Sequence, residues 1–164
     1  MKLDRLMKDL MKGHYLGRPI GYMQVIEFQK RGLPHAHILL ILAAEDKPRN
    51  PELLDRLICA ELPDRDGFPD LYRTVTTSML HGPCGDDNPN CVCMRDGACS
   101  KHYPKDFLDE SRETEGFAEY RRRDDGTFMM KSVPGRRDPV QMTNRHVVPY
   151  NRILCMKYDV STNF

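Results

Sequence analysis

His35 and His37 stand two residues apart in PHAHILL, within a run whose remaining members are apolar. On a β-strand that spacing sends both imidazoles off one face, while Ala36, Ile38, Leu40 and Leu42 leave the other. Upstream, GYMQVIEFQK alternates so that Met23, Val25, Glu27 and Gln29 share a face, and Gly32 and Pro34 mark a turn between the two runs. The pattern predicts a β-hairpin from Gly21 to Leu42. If Gln29 pairs with His35, Glu27 pairs with His37, and a carboxylate joins the two imidazoles, with Gln29 as the substitute for Glu27. Two nitrogens and a hard oxygen would hold a divalent cation and leave positions open for a phosphate.

A second cluster of candidate ligands lies between Leu80 and Pro104, in LHGPCGDDNPNCVCMRDGACSKHYP. Cys84, Cys91, Cys93 and Cys99, flanked by His81 and His102, offer more soft donors than a tetrahedral zinc ion needs. The spacing lacks the paired Cys-x2-Cys of common zinc modules. Cys84, Cys93, Cys99 and His102 form the preferred zinc set, with Cys91 as substitute; the alternative is a compact loop whose buried thiols pack as small apolar groups. A third candidate is the run Arg121, Arg122, Arg123. On a strand, Arg121 and Arg123 would share a side and, with Arg136, present forked donors to the phosphates of DNA.

The elements that must carry these residues follow from periodicity. Leu3, Leu6, Met7, Leu10 and Met11 give a short amphipathic helix closed by Gly13. Asn50-Pro51 supplies an N-cap and a first-turn proline for a helix with Leu53, Leu54, Leu57 and Ile58 inward. A further helix places Phe68, Leu71, Tyr72, Val75 and Met79 inward, and both are expected to pack on the sheet. Asp124-Asp125-Gly126 predicts a hairpin joining Phe117–Arg123 to Thr127–Lys131. The segments 144–150 and 153–158 are expected to be extended and to complete the sheet.

At 164 residues, with 40% hydrophobic and 30% charged residues, the chain has the composition of one ordinary globular domain, and a formal charge of +1 identifies no partner. No apolar run approaches a membrane span, and charges interrupt the N-terminal MKLDRLMKDLMK where a signal peptide needs an apolar core. An intracellular, reducing location is expected, in which the six cysteines serve as thiols or metal ligands rather than disulfides. No GxxxxGK[ST] phosphate loop occurs in the sequence, which excludes a P-loop helicase engine from these residues.

VIEFQKRGLPHAHILLIL resembles the Helitron helicase-like domain, the Rep-type HUH endonuclease of eukaryotic Helitron rolling-circle transposons. HGPCG, GxCSKxxPK and VVPYNxxL extend the likeness over nearly the whole chain, so 1–164 is expected to be one partial domain: 1–80 with the hairpin and helices, 81–104 the Cys-rich loop, 105–164 the Arg-rich hairpin and closing strands. The resemblance implies an α+β fold with a mainly antiparallel sheet and helices packed on it, and Mg2+ or Mn2+ at Glu27, His35 and His37. It implies nicking and transfer of single-stranded DNA by a tyrosine that forms a 5′-phosphotyrosine, a nuclear location, and a C-terminal helicase domain in a full-length relative. On the resemblance, the family's first strand is expected to precede the part matched here, and its paired catalytic tyrosines are expected beyond Phe164. Tyr150 and Tyr158 match a segment upstream of those tyrosines, so the chain is expected to be inactive alone. The competing expectations are a non-catalytic module binding metal and single-stranded DNA, and an unrelated domain stabilised by zinc.

Overall fold

In the computed structural model, residues 2–28 and 34–158 are described, and the chain divides into two compact units, 1–49 and 50–164. The class is α+β. Among the described residues are four α-helices and four two-stranded antiparallel sheets.

The first unit begins with α1 (Lys2–Gly13), in which Leu10 is buried. It continues into β1 (Pro19–Phe28) and β2 (Pro34–Leu42), which pair antiparallel. The register sets Glu27 opposite His35 and Val25 opposite His37. This is two residues from the expected pairing, a shift that preserves parity, so Glu27 remains on the face of the histidines. Gln29 lies outside the described residues. Beyond β2 the chain turns back on itself, with Ala43 N–H donating to Arg18 O at 2.9 Å, Arg18 N–H to Asp46 Oδ2 at 2.7 Å, and the Arg18 guanidinium bonded to Glu45.

The second unit opens as the sequence predicts. Asn50 Oδ1 accepts from Leu53 N–H at 2.9 Å and Pro51 occupies the first turn of α2 (Pro51–Leu57). Leu71 and Val75 of α3 (Pro69–Ser78), together with Met79, reach the core, where they pack with Cys59, Leu62, Val147, Tyr150 and Cys155. Three small hairpins follow a different plan from the single closing sheet expected. β3 (Met94–Arg95) pairs with β4 (Ala98–Cys99), β5 (Arg112–Thr114) with β6 (Phe117–Glu119), and β7 (Phe128–Lys131) with β8 (Val140–Thr143).

Two expectations are corrected here. The Asp-Gly hairpin between 117 and 131 does not form: β6 turns back to β5 through Glu115 and Gly116, both at positive φ, and β7 pairs forward to β8. The competing force is the side chain of Arg122, which is buried and donates to the carbonyls of Ala60, Asn144 and Val147, while Arg122 N–H bonds Leu108 O. A strand bound into a 117–131 ladder could not serve those partners. The second correction concerns 153–158, which are helical. Asn151 Oδ1 accepts from Leu154 N–H at 2.9 Å and starts α4 (Arg152–Tyr158), whose Leu154, Cys155 and Tyr158 are buried at helical spacing against α3. Asn144 to His146 form a short 3-10 turn.

Glu61 sits beside Arg122 in this interior. It is buried, accepts the fork of Arg123 at 2.8 and 2.7 Å, and stands 3.5 Å from Arg121 Nε. Burial alone would raise its carboxyl, but the Arg123 bonds and both guanidinium charges bring it below the ordinary value of 4.5. A carboxylate with a depressed folded pKa contributes stability that is present above the unfolded value and lost as pH falls through the folded one. The unfolding free energy should therefore be flat above about pH 4.5 in this respect and decline below it. Glu61→Gln should cost about 1–2 kcal/mol at pH 7, discounted because Arg123 is half exposed, and should weaken the acid-side decline. Urea titrations across pH 3–7 check both; an unchanged acid limb would remove Glu61 from this role.

Candidate functional site

Among the described residues, two groups of candidate metal-ligand side chains stand out, one in each unit. On the hairpin, His37 Nε2 lies 3.1 Å from Glu27 Oε2, and both side chains are well exposed, at 68% and 63%. His35 is directly opposite Glu27 in the ladder, on the same face. Met23, Val25 and Leu39 share that face and are also exposed. The arrangement is held by backbone pairing alone, since register fixes which residues share a face without help from the side chains.

In the second unit, His81, Cys84, Cys93 and Cys99 bring their ligand atoms within 4.8 Å of one another. This group could hold a metal ion such as zinc. Among the described residues it is the group drawn together this closely; Glu27, His35 and His37 share a face without converging to that degree. His81 Nε2 lies 3.2 Å from Cys99 Sγ, and its ring stacks on Tyr103 with centroids 4.2 Å apart and planes at 15°. His81 stands next to the Leu80–Val147 bridge, and its own N–H donates to His146 O at 2.9 Å, so its backbone is part of the core.

The group differs from the set expected from the sequence at one position: His81, rather than His102, stands with Cys84, Cys93 and Cys99. His102 has a left-handed backbone, φ 54°, and donates its N–H to Cys99 O at 2.9 Å. Its side chain is no member of the group. The spacing His81-x2-Cys84 was the available signal, a close pair of the kind that starts a metal knuckle. Cys91 Sγ lies 3.5 Å from Cys93 Sγ, adjacent to the group.

Burial pushes the Cys93 thiol up to about 12, and the neighbouring thiols Cys91, Cys99 and Cys84 add to the shift. Burial also raises Cys84. Cys99 is shifted the other way: burial would raise it, but the N–H groups of Tyr103 and Lys101 aim at its sulfur and bring it below the ordinary thiol value. His81 is held below its usual value by burial and by the charges of Lys101 and Lys105.

Arg121 and Arg123 do share a side, but what they share is Glu61. Arg121 also pairs with Asp55 Oδ2 at 3.0 Å, and Asn144, which accepts from Leu62 N–H, donates to Arg123 O at 2.9 Å. To bind phosphate, either arginine would have to leave these partners. Arg136 is paired with Asp87 at 2.7 Å, both half exposed. Beside the Cys/His group lies a cleft of about 1280 Å3 lined in part by His81, Cys99, Lys101, Tyr103, Lys105 and Phe107.

Tyr150 is fully buried and its hydroxyl donates to Glu61 O at 3.0 Å; Tyr158 is also buried. Burial, and then the Cys59 thiol, pushes the Tyr150 phenol above the ordinary tyrosine value. Neither hydroxyl is presented for attack on a phosphate.

Taken together, these observations define an α+β protein with an exposed His/Glu hairpin and a separate His/Cys cluster. Residues 1–40 match the family model described as the Helitron helicase-like domain at N-terminus, which spans α1, β1 and most of β2 and includes Glu27, His35 and His37. No curated protein matches the chain. No helix among the described residues is long and apolar enough to cross a membrane.

If Tyr150 is structural, Tyr150→Phe should lower stability by about 1 kcal/mol through the loss of one buried hydrogen bond, with no effect on any metal-dependent property of the hairpin. Thermal unfolding monitored with and without Mn2+ checks this; a loss of metal response in the variant would place the hydroxyl in a site.

Proposed function

We propose that this chain is a Helitron-derived Rep segment that binds a divalent cation and the phosphate backbone of single-stranded DNA through Glu27, His35 and His37. The observation that carries the reading is the contact between Glu27 and His37 on the face where His35 opposes Glu27, inside the stretch that matches the Helitron model. The donor set fits the cation. A carboxylate already touches one imidazole, the second imidazole stands across the ladder, and all three are open to solvent, so water or phosphate oxygens can complete the coordination. Two imidazoles suit Mn2+ better than Mg2+, which prefers oxygen donors throughout. Such a cation would polarise a scissile phosphate as a Lewis acid.

Strand transfer needs an attacking hydroxyl within about 3–3.5 Å of the phosphorus and in line with the leaving oxygen. Tyr150 and Tyr158 are spent in the core, and Tyr22, exposed on β1, leaves the face opposite Glu27. These placements favour the non-cleaving form of the reading: a module of nickase ancestry that holds metal and DNA and supplies no nucleophile of its own from these tyrosines. Of the arginines expected to touch DNA, Arg136 has the weakest prior claim on it, one ion pair with an exposed carboxylate, while Arg121 and Arg123 serve Glu61. In a full-length relative a helicase domain on the same polypeptide would be the partner, and the nucleus the place of action.

Titration of Mn2+ by calorimetry should show one binding event that weakens by about 10-fold or more in Glu27→Ala and in His37→Ala. Labelled single-stranded DNA with Mn2+ should bind with strong salt dependence and give no covalent band on a denaturing gel. Equal Mn2+ affinity in the variants would end the metal-site reading. A covalent band lost in Tyr150→Phe or Tyr158→Phe would show a complete nickase instead.

A further inference from the structure

The second metal group supports a conclusion that does not depend on the Helitron reading. We propose that His81, Cys84, Cys93 and Cys99 bind one Zn2+ in a closed tetrahedral site, and that this ion holds the segment from 84 to 105 as a wall of the neighbouring cleft. With Zn–S of about 2.3 Å and Zn–N of about 2.0–2.1 Å, a tetrahedral site has ligand–ligand edges of about 3.5–3.8 Å. The four donor atoms lie within 4.8 Å of one another and His81 Nε2 is 3.2 Å from Cys99 Sγ, so changes of about 1 Å in their separations complete the tetrahedron.

Each ligand stands on a fixed backbone. His81 is anchored to the core by its bond to His146 O. Gly82, at φ +91°, makes the bend that brings Cys84 beside His81; a Cβ there would sit 3.0 Å from Cys84 N. Cys93 and Cys99 flank the β3–β4 hairpin, closed by Ser100 N–H on Cys93 O at 2.9 Å. Lys101 N–H donates to Cys99 Sγ at 3.4 Å, a bond that orients the sulfur, and the Tyr103 ring fixes the plane of His81. The donors are three sulfurs and one imidazole, the set that selects zinc over the hard cations proposed for the hairpin.

Four protein ligands leave no position for water, so the role is structural. Packing alone holds little of this segment: the core clusters are supplied by α3, α4, β8 and the bridged stretches near 59 and 147, and apart from Cys93 and Cys99 the β3–β4 region is largely exposed, as at Arg95, Asp96, Gly97 and Ala98. The far end of the segment is tied to the core by Lys105 N–H on Arg145 O at 2.9 Å. Between His81 and that tie, the ion joins the exposed Arg136–Asp87 pair in fastening the segment, and Cys99 and Lys101 to Phe107 line the cleft it stands beside.

The test uses the full chain purified under reducing conditions. Elemental analysis should give one zinc per chain, and exchange to Co2+ should give tetrahedral d–d bands with thiolate-to-cobalt charge transfer. Cys93→Ser should lower affinity by at least about 10–100-fold, whereas His102→Ala and Cys91→Ser should leave stoichiometry and spectrum unchanged. Should Cys93→Ser fail to fold, His81→Cys decides, because it should retain the ion and strengthen the charge-transfer band. Chelation should open trypsin cleavage at Arg95 and Lys101 while amides of α3 stay protected from exchange. Zinc-free protein with the same protease resistance, a cobalt spectrum without thiolate bands, or loss of metal in His102→Ala would overturn the proposal.

Discussion

Arg122 is the side chain on which the second unit converges. Its guanidinium is buried and donates to the carbonyls of Ala60, Asn144 and Val147, which come from two stretches more than eighty residues apart in sequence. Left without this donor, the buried carbonyls would lose charge-assisted hydrogen bonds worth about 1.5–3 kcal/mol each, comparable to a large share of a small domain's net stability. The Cys59–Tyr150 and Leu80–Val147 bridges run through the same place, and Tyr150 reaches across it to Glu61 O. Because His81 follows Leu80, the backbone of the Cys/His group is seated on this junction.

The two candidate metal sites differ in ways that follow from their surroundings. The hairpin group is exposed, contains a hard oxygen, and owes its shared face to strand register, so its side chains are open to water and to ligands from solution. The Cys/His group is partly to fully buried, is soft, and is seated by backbone hydrogen bonds on every side, which suits an ion that stays. Thiol burial without a metal is costly only for the thiolate, so Cys84, Cys93 and Cys99 can pack as neutral thiols before the ion enters, and metal binding then releases their protons.

Much of the hairpin was legible because its information is local. Alternation in GYMQVIEF and PHAHILLIL fixes faces within each strand, and parity survives an error of two residues in the register. The N-cap at Asn50 was readable for the same reason, as were Leu71, Val75 and Met79 of the expected apolar stripe, whereas Phe68 is exposed rather than inward. What escaped the sequence depended on partners far away. The Asp124-Asp125-Gly126 signal is a strong local turn, yet β7 pairs with β8 because Arg122 is drawn into the interior by three carbonyls. Residues 153–158 read as extended from their β-formers, but Asn151 caps a helix whose apolar face has α3 to bury against. His81 rather than His102 stands with the cysteines, and its backbone is seated by the Leu80–Val147 bridge and the bond to His146 O, both made to a distant stretch of chain. Spacing also could not show that Arg121 and Arg123 both pair with Glu61, some sixty residues earlier in the chain.

The most direct measurement is an anomalous difference map at the manganese edge from crystals of the chain grown with Mn2+ and a short single-stranded oligonucleotide. A cation held for DNA backbone chemistry should appear as one peak within about 2.0–2.3 Å of a Glu27 oxygen and a ring nitrogen of each of His35 and His37, with a phosphate oxygen in its remaining coordination. Saturating Mn2+ with no peak at those three residues, or peaks confined to carboxylates elsewhere, would contradict the proposed function.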